Sequence, residues 1–235
     1  MGHDRMTDRI LCIIPARGGS KRFPRKNIAL LAGKPLIAYT IETARRYGIF
    51  EKIVVSTEDK EIAELSKKYG IEILQRSSEL ASDTARVPEV CLDVINQYEE
   101  KGEKYNTVCI LLPTSPLRKP EHLVEALKKF KDSGADYLMS TTDYRYSPFR
   151  ALKENEKGFL EPFFDKKYMT RDQLNPKVVV HNGCIILMKT EKFKEDRDYY
   201  GEKVAGYHMP FEYSIDINEP VDLKIAEVIL KSEEK

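Results

Sequence analysis

The loop that follows the first apolar segment has the residues best suited to bind an anion. Residues 10–14 are apolar, and residues 15–27 contain two glycines and five cations, namely Arg17, Lys21, Arg22, Arg25 and Lys26. Glycines let backbone N–H groups approach an anion closely, and crowded cations repel one another unless an anion lies among them. The pattern predicts a polyphosphate site rather than a charged, solvated turn. Neither G-x-x-x-x-G-K-[ST] nor G-x-G-x-x-G is present, which disfavours a kinase-like P-loop and a dinucleotide site.

A second candidate is Asp216, which stands between Ile215 and Ile217. In an extended segment the two isoleucines point away from the aspartate, so its carboxylate projects alone from an apolar edge. One or two carboxylates together with substrate phosphates are a usual Mg²⁺ site. The alternative is that Asp216 or Asn218 caps a helix whose first residue is Pro220, and capping by Asn218 is compatible with metal binding by Asp216.

Two hydroxyl-bearing segments could line a binding site. Residues 113–118 (Pro-Thr-Ser-Pro-Leu-Arg) follow an apolar run, and Arg118 could reach an anion, although a turn that leads into a helix at 120 explains the segment equally well. Residues 82–84 (Ser-Asp-Thr) likewise fit two interpretations, a helix start or a binding loop that bears hydroxyls.

Polar residues at 170–173 and 181–183 form the last candidate group. Arg171 could contact a substrate carboxylate in bidentate fashion, and the alternative is an exposed arginine in a polar segment. We expect His181 to be a hydrogen-bonded strand residue rather than a catalyst. No Ser/Cys–His–Asp grouping for nucleophilic catalysis is visible in the sequence.

Composition excludes several classes of protein. The 235 residues include 39 Lys and Arg against 38 Asp and Glu, so no general basicity indicates nucleic-acid binding. No apolar run is long enough to span a bilayer, and we expect no membrane partner. The four cysteines form no C-x-x-C pair, so they predict free thiols in a reducing cytoplasm and neither a zinc site nor disulfides.

The candidate residues must be positioned by alternating strands and helices. Apolar runs predict strands at 9–14, 52–56, 71–75, 107–112 and 136–141, and helical spacing predicts helices at 35–47, 58–69, 84–100 and 120–132. This order predicts an α/β fold with a mostly parallel sheet covered by helices on both faces. Ligands of such sheets bind beyond the carboxyl ends of the strands, where the candidate loops fall.

The alternation stops after about residue 143. Residues 144–181 are rich in aromatic, proline and charged residues, and they predict a substrate lid or dimer contact inserted into a single domain over 8–235. Residues 178–188 predict a strand, a turn-like interruption and a second strand. A strand near 205–209 and a helix from Pro220 complete the chain.

Together these residues resemble the acylneuraminate cytidylyltransferase family, the enzymes that activate sialic and related nonulosonic acids as CMP-sugars. The resemblance extends in order over nearly the whole chain. It is carried by the stretches 14–27, 33–36, 55–57, 79–84, 112–118, 182–183 and 214–217.

The resemblance implies a Rossmann-like nucleotidyltransferase fold, a homodimer formed through the insertion, and Mg²⁺-dependent transfer of CMP from CTP to a nine-carbon acidic sugar. It implies that the nucleotide contacts Ala16, Arg17, Gly18, Gly19, Ser20, Lys21, Asn27, Ser82, Thr84 and Pro113. It implies that the sugar contacts Leu112, Thr114, Ser115, Arg171, Gln173 and Asn182. Lys21, Arg17 and Asp216 would be catalytic, and the metal would lie on Asp216 and Asn218.

Two positions depart from the family pattern. Leu112 stands where the family often has a glutamine that touches the sugar, and Asn218 stands where it often has a second aspartate. Two alternatives therefore stay open: a related nucleotidyltransferase that acts on another sugar or a sugar 1-phosphate, with CTP or GTP, and a non-catalytic nucleotide-binding protein.

Overall fold

A seven-stranded sheet forms the centre of the protein, in the strand order β11-β7-β10-β6-β1-β4-β5. The computed structural model describes residues 8–82, 84–170, 173 and 175–233. Its strands are β1 (Ile10–Pro15), β2 (Leu30–Leu31), β3 (Lys34–Pro35), β4 (Lys52–Thr57), β5 (Glu72–Gln75), β6 (Thr107–Ile110), β7 (Tyr137–Thr142), β8 (Leu152–Glu154), β9 (Leu160–Pro162), β10 (Val180–Lys189) and β11 (Val204–His208). Its helices are α1 (Leu36–Arg45), α2 (Lys60–Lys68), α3 (Val87–Glu100), α4 (Pro120–Ser133), α5 (Lys167–Thr170), α6 (Thr190–Asp196) and α7 (Pro220–Glu233).

The sheet is mostly parallel, as predicted. β1 pairs in parallel with β4 and β6, β4 with β5, and β7 with β11. β10 runs antiparallel to both of its neighbours, β6 and β7. The β1 carboxyl end therefore lies beside those of β4 and β6, which brings the loops after them to one edge.

Alternate residues of β1 face two separate cores. Cys12 and Ile14 pack with apolar residues of α1, α2 and α4, whereas Leu11 and Ile13 pack with those of α3 and α6. All four side chains are fully buried. Helices therefore cover both faces of the sheet, and the predicted α/β class is confirmed.

A third apolar cluster anchors the segment that carries Asp216. Ile215 and Ile217 are buried against Leu31, Leu36 and Ala226 of α7, whereas Asp216 between them is exposed. The predicted alternation is therefore present, although the segment forms no strand. The Ile217 N–H donates to the Thr114 carbonyl at 2.8 Å, which ties Asp216 to the loop after β6.

Residues 178–189 differ from the sequence prediction in one respect. The predicted interruption is an irregularity inside the single strand β10, where the register against β7 shifts between His181 and Ile186. Gly183 lies in this irregularity with φ 70°, a conformation that glycine adopts without strain.

The insertion contributes a small two-stranded sheet, β8 with β9, and the short helix α5. Several of its large apolar side chains are exposed, among them Tyr146 at 84%, Phe159 at 68% and Phe163 at 61%. In the part of the chain that the structure describes, no helix combines the length and apolarity needed to cross a membrane.

The prediction that Arg118 could reach an anion is wrong. Its side chain is buried, with 2% exposure, and it donates to the Cys184 carbonyl and to Oγ1 of Thr40. Burial lowers the pKa of this guanidinium. Arg118 therefore joins α1 to β10 beneath the sheet edge and takes no part in binding a ligand.

Candidate active site

Three adjoining cavities form a cleft along the carboxyl edge of the sheet. The loop cavity, about 360 Å³, is lined by Arg17, Gly19, Ser20, Lys21, Arg22, Lys26 and Asn27. The central cavity, about 320 Å³, shares Arg17, Lys26 and Asn27 with the loop cavity. The outer cavity, about 420 Å³, shares Leu112 and Asp216 with the central cavity.

The loop after β1 brings four of its five cations to the loop cavity. Asn27 closes the loop, because its Nδ2 donates to the Arg17 carbonyl at 2.8 Å. Arg25 is the exception: it has φ 59° and forms ion pairs with Glu61 on α2 and with Asp59, the residue just before α2. Arg25 therefore anchors the loop to α2 and does not line the cavity.

Lys26 lies half-buried where the loop and central cavities meet. Burial is the main reason that the pKa of Lys26 is lowered, the nearby Arg22 and Arg17 lower it further, and Asp216 opposes them. A bound anion would offset this crowding of positive charge. The loop therefore brings several cations together at one cavity, and the anion site that the sequence predicts there stays a prediction.

Gly18 does not face the loop cavity. Its N–H donates to Oε1 of Glu58 at 2.7 Å, and a Cβ built on it would meet Asp59 Oδ2 at 2.3 Å. Glycine is thus required here for close approach to the start of α2, and the predicted contact of the Gly18 amide with a phosphate is not supported. Gly19, Ser20 and Lys21 line the cavity as expected.

Arg76 is a residue of the central cavity that the sequence analysis missed. It follows β5 directly, is 6% exposed, and donates to the Ser56 carbonyl at 2.8 Å. Burial lowers the pKa of this guanidinium. Its place beyond the carboxyl end of a parallel strand was the signal available in the sequence, by the same rule that located the other loops.

The other predicted nucleotide residues divide into lining and supporting residues. Ser82 and Pro113 line the central cavity, and the Ser82 carbonyl accepts from Arg17 at 3.4 Å. Ala16 is fully buried with its N–H bonded to Ser56, so direct contact with a ligand is not supported. Thr84 is exposed and lines none of the three cavities, but its hydroxyl lies 3.1 Å from that of Ser82.

The predicted sugar residues also separate. Leu112 and Thr114 line the cleft, whereas Ser115 is fully buried and cannot reach it. Gln173 is exposed on the insertion and lines none of the three cavities, and Arg171 lies outside the described residues.

Asn182 lines the outer cavity, but its amide is engaged within the protein. Its Nδ2 donates to Ser214 at 2.8 Å, and its Oδ1 accepts from the Ser140 hydroxyl at 2.6 Å. These bonds join β7 and β10 to the segment before Asp216. Asn182 therefore positions the wall of the outer cavity.

Arg145 and His181 line the outer cavity as well. The Arg145 guanidinium lies 4.9 Å from the centre of the Phe211 ring, and sequence analysis gave no signal for it. His181 Nδ1 lies 3.1 Å from the Tyr200 hydroxyl, which fits the expected hydrogen-bonded strand residue. Burial lowers the pKa of His181, which favours the neutral imidazole.

The donor set near Asp216 fits a hard cation through one carboxylate. Among the residues that the structure describes, no three His, Cys, Asp or Glu side chains cluster as a metal site. Asn218 Oδ1 accepts from Lys26 at 3.1 Å, and its Nδ2 donates to Asp216 Oδ2 at 2.6 Å. At the start of α7, the backbone N–H groups of Asn218 and Glu219 donate to the Asp222 carboxylate, so Asp222 rather than the Asn218 side chain accepts from these groups. Asp216 therefore remains as a ligand that phosphate oxygens could complement.

Comparison with curated proteins finds relatives of nearly the same length. The chain is 35% identical to pseudaminic acid cytidylyltransferase of Campylobacter jejuni, over 94% of this chain and 96% of that protein. It is 35% identical to CMP-N,N'-diacetyllegionaminic acid synthase of Legionella pneumophila, over 95% and 97% respectively.

Two solved structures share the fold. One is CMP:2-keto-3-deoxy-manno-octonic acid synthetase complexed with CTP, with a TM-score of 0.70 and 15% identity over 96% of this chain and 99% of that chain. The other is 4-diphosphocytidyl-2C-methyl-D-erythritol synthase of Anaerococcus prevotii, with a TM-score of 0.67 and 12% identity over 95% and 96%. These likenesses confirm the Rossmann-like architecture.

The cytidylyltransferase family matches residues 11–217, which include the loop cavity and Asp216. The match covers most of the chain and agrees with the relatives that are 35% identical. The chain therefore belongs to the cytidylyltransferase family and is an enzyme of that type.

Proposed function

We propose that this enzyme transfers CMP from CTP to the anomeric hydroxyl of a nonulosonic acid and releases pyrophosphate. The observation that carries the proposal is the position of Asp216, which lines both the central and the outer cavity. A carboxylate at that junction stands between a cationic cavity suited to a nucleotide and a second cavity suited to an acceptor. The names of the relatives, pseudaminic acid cytidylyltransferase and CMP-N,N'-diacetyllegionaminic acid synthase, support the same activity.

The triphosphate would occupy the loop cavity. Arg17, Lys21 and Lys26 would balance its charge, and the Gly19 and Ser20 backbone would approach it closely. Ser82 and Arg76 would contact the nucleoside in the central cavity. The Arg76 guanidinium is fixed by Ser56, and its N–H groups suit the O2 and N3 acceptors of cytosine.

The acceptor would occupy the outer cavity. Arg145 supplies a cation that could bind the sugar carboxylate there, and Leu112 supplies an apolar surface. Arg171 remains a proposed second contact for the carboxylate. Because a leucine side chain cannot hydrogen-bond a hydroxyl, Leu112 favours an acceptor that presents an apolar group at the junction.

Catalysis would depend on positioning and charge neutralisation, as is general for transfer to phosphorus. The sugar hydroxyl attacks the α-phosphorus and loses its proton to solvent, the bond to the oxygen that bridges to the β-phosphorus breaks, and pyrophosphate leaves. Lys21 and Arg17 stabilise the negative charge that grows on pyrophosphate. Mg²⁺, held by Asp216 and phosphate oxygens, would polarise the α-phosphate when bound.

A pyrophosphate-release assay with varied nucleotide and acceptor tests the proposal. Release is expected with CTP, Mg²⁺ and at least one of pseudaminic, legionaminic and N-acetylneuraminic acid, and not with GTP and a sugar 1-phosphate. Turnover of the sugar 1-phosphate alone would favour the related nucleotidyltransferase. Nucleotide binding without turnover across the panel would favour the non-catalytic protein.

We further infer that the enzyme is a cytoplasmic homodimer. The exposed Tyr146, Phe159 and Phe163 give the insertion an apolar surface of the kind that marks protein interfaces. All four cysteines are buried free thiols, which suits a reducing compartment. Light scattering should give a dimer mass for the wild-type protein and a monomer mass for a Phe159→Glu, Phe163→Glu variant. A wild-type monomer at micromolar concentration would contradict the dimer.

A further inference from the structure

Glu58 touches both walls of the nucleotide-binding half of the cleft without lining a cavity itself. It follows β4, and its Oε1 accepts the Gly18 N–H at 2.7 Å. Gly18 opens the stretch that carries Gly19, Ser20 and Lys21 into the loop cavity. The carboxylate therefore fixes the point at which the loop after β1 enters the site.

The other oxygen of Glu58 faces Arg76. Oε2 is buried, accepts no hydrogen bond from any residue in the described ranges, and lies 3.9 Å from Arg76 Nη1. The exposed fractions of the two side chains are 24% for Glu58 and 4% for Arg76, so solvent screens the pair weakly. Glu58 attracts the Arg76 charge, whereas the nearby Arg17 repels it. Glu58 thus compensates a buried cation that has a second cation beside it.

The loop packs closely against the residue that follows Glu58. A Cβ at Gly18 would lie 2.9 Å from the Cβ of Asp59, the next residue after Glu58. Asp59 in turn binds Arg25 at the far end of the same loop. The residues just before α2 therefore contact the loop after β1 at both of its ends.

From these contacts we propose that Glu58 is a positioning residue for the nucleotide: one oxygen sets the loop after β1, and the other compensates the charge of Arg76 and orients its guanidinium toward the base. The inference rests on the proposed function, because Arg76 and the loop are there assigned to CTP. Glu58 itself would touch neither the nucleotide nor the sugar.

The Glu58→Gln variant tests the charge. Its amide oxygen can still accept from Gly18, but it no longer compensates Arg76. We expect the Kd for CTP, measured by calorimetry, and the KM for CTP to rise about tenfold, with the KM for the acidic sugar unchanged. Glu64→Gln removes the same charge from an exposed position on α2 and should leave all three values unchanged.

A double-mutant cycle tests the route through Arg76. In an Arg76→Met background, Glu58→Gln should change the affinity for CTP by less than about twofold, because the charge it compensated is gone. A loss that is equal in both backgrounds would overturn the inference. So would wild-type affinity in a folded Glu58→Gln protein.

Glu58→Asp keeps the charge and shortens the side chain by one methylene, so that both contacts cannot be made together. It should bind CTP more weakly than the wild type and more tightly than Glu58→Gln. If the glutamine variant does not fold, wild-type affinity in Glu58→Asp overturns the inference. Failure of the wild-type protein to bind CTP would remove the proposed function and this inference together, whereas normal wild-type turnover with an unaffected variant would remove this inference alone.

Discussion

Lys26 donates to Asn218 Oδ1 at 3.1 Å, and this bond joins two segments of the cleft that lie far apart in the sequence. Lys26 belongs to the loop after β1, and Asn218 follows the apolar anchor of Asp216. Asn218 then donates to the Asp216 carboxylate at 2.6 Å. The amide therefore connects the cations of the loop cavity to Asp216, and a substitution at Lys26, Asn218 or Asp216 should affect the other two residues.

Lys26→Met should weaken the binding of CTP and raise the melting temperature. Burial and the nearby Arg22 and Arg17 make the Lys26 charge unfavourable in the free protein, so removing it should raise the melting temperature. The Kd for CTP should rise at least tenfold, because the triphosphate loses a cation. Scanning calorimetry and titration calorimetry measure the two effects. Lys60→Met, an exposed lysine at the start of α2, should do neither. A lower melting temperature would mean that the bond to Asn218 outweighs the charge.

Asp216→Asn should reduce turnover while nucleotide binding persists. The carboxylate lies at the junction of the central and outer cavities, where a metal and the attacking hydroxyl would meet. We expect kcat to fall by roughly 10²–10³, as for other lost electrostatic groups, with the Kd for CTP without Mg²⁺ within about threefold. Glu219→Gln, an exposed neighbour, is the matched control. Near-normal pyrophosphate release by Asp216→Asn would refute its role.

Asn218→Asp should increase the dependence on Mg²⁺. A second carboxylate would replace the amide that donates to Asp216, so the two anions would repel each other in the free protein. Added Mg²⁺ should raise the melting temperature more than it does for the wild type, because two carboxylates would hold the ion where the wild type has one. Thermal melts across a Mg²⁺ titration, with Ca²⁺ for comparison, measure the difference. Identical shifts in both proteins would argue against metal binding at this position.

The charge of Asp59 should make stability depend on acid pH. The Arg25 guanidinium is the main cause that lowers the pKa of Asp59, and the Ile62 N–H also favours the carboxylate. Because the folded pKa lies below the unfolded value of about 3.9, the stabilisation is complete above the unfolded value and is lost as pH falls through the folded one. Asn caps helices as well as Asp does, so Asp59→Asn isolates the charge.

We expect this substitution to lower the free energy of unfolding at neutral pH by about 0.5–1 kcal/mol, the usual range for a partly exposed ion pair. Urea unfolding of both proteins from pH 3 to pH 7 measures it, and the two curves should converge toward the acid end. A constant difference between the curves would show that the charge is not the cause.

Much of this architecture could be predicted from local patterns. The burial of β1 and of the isoleucines on either side of Asp216 could be predicted, because alternation and composition determine which side chains face the core. The same patterns do not fix which way a loop residue turns. Gly18 and Arg25 were predicted with the anion loop, but long-range contacts with the residues before α2 turn both away from the cavity.

Arg118 and Arg76 show which features of the site cannot be predicted from the sequence. Each is an arginine after a parallel strand, yet one is buried beneath the sheet edge and the other lines the central cavity. The difference depends on partners remote in sequence, Cys184 for Arg118 and Glu58 for Arg76, and no local period encodes them. Buried charges are therefore the part of the site that sequence reasoning predicts least well.

The last prediction concerns Leu112, the apolar residue shared by the central and outer cavities. Leu112→Gln would place an amide where the acceptor is expected to lie, so an acceptor with a hydroxyl there would gain a hydrogen bond and an apolar one would lose a contact. We expect the ratio of kcat/KM for N-acetylneuraminic acid to that for the preferred acceptor to rise about tenfold, a change typical of one hydrogen bond. Leu112→Met keeps the apolar surface and should leave the ratio unchanged. An equal loss with every acceptor would mean that Leu112 supports the fold of the cleft, and the selectivity would then have to come from the insertion.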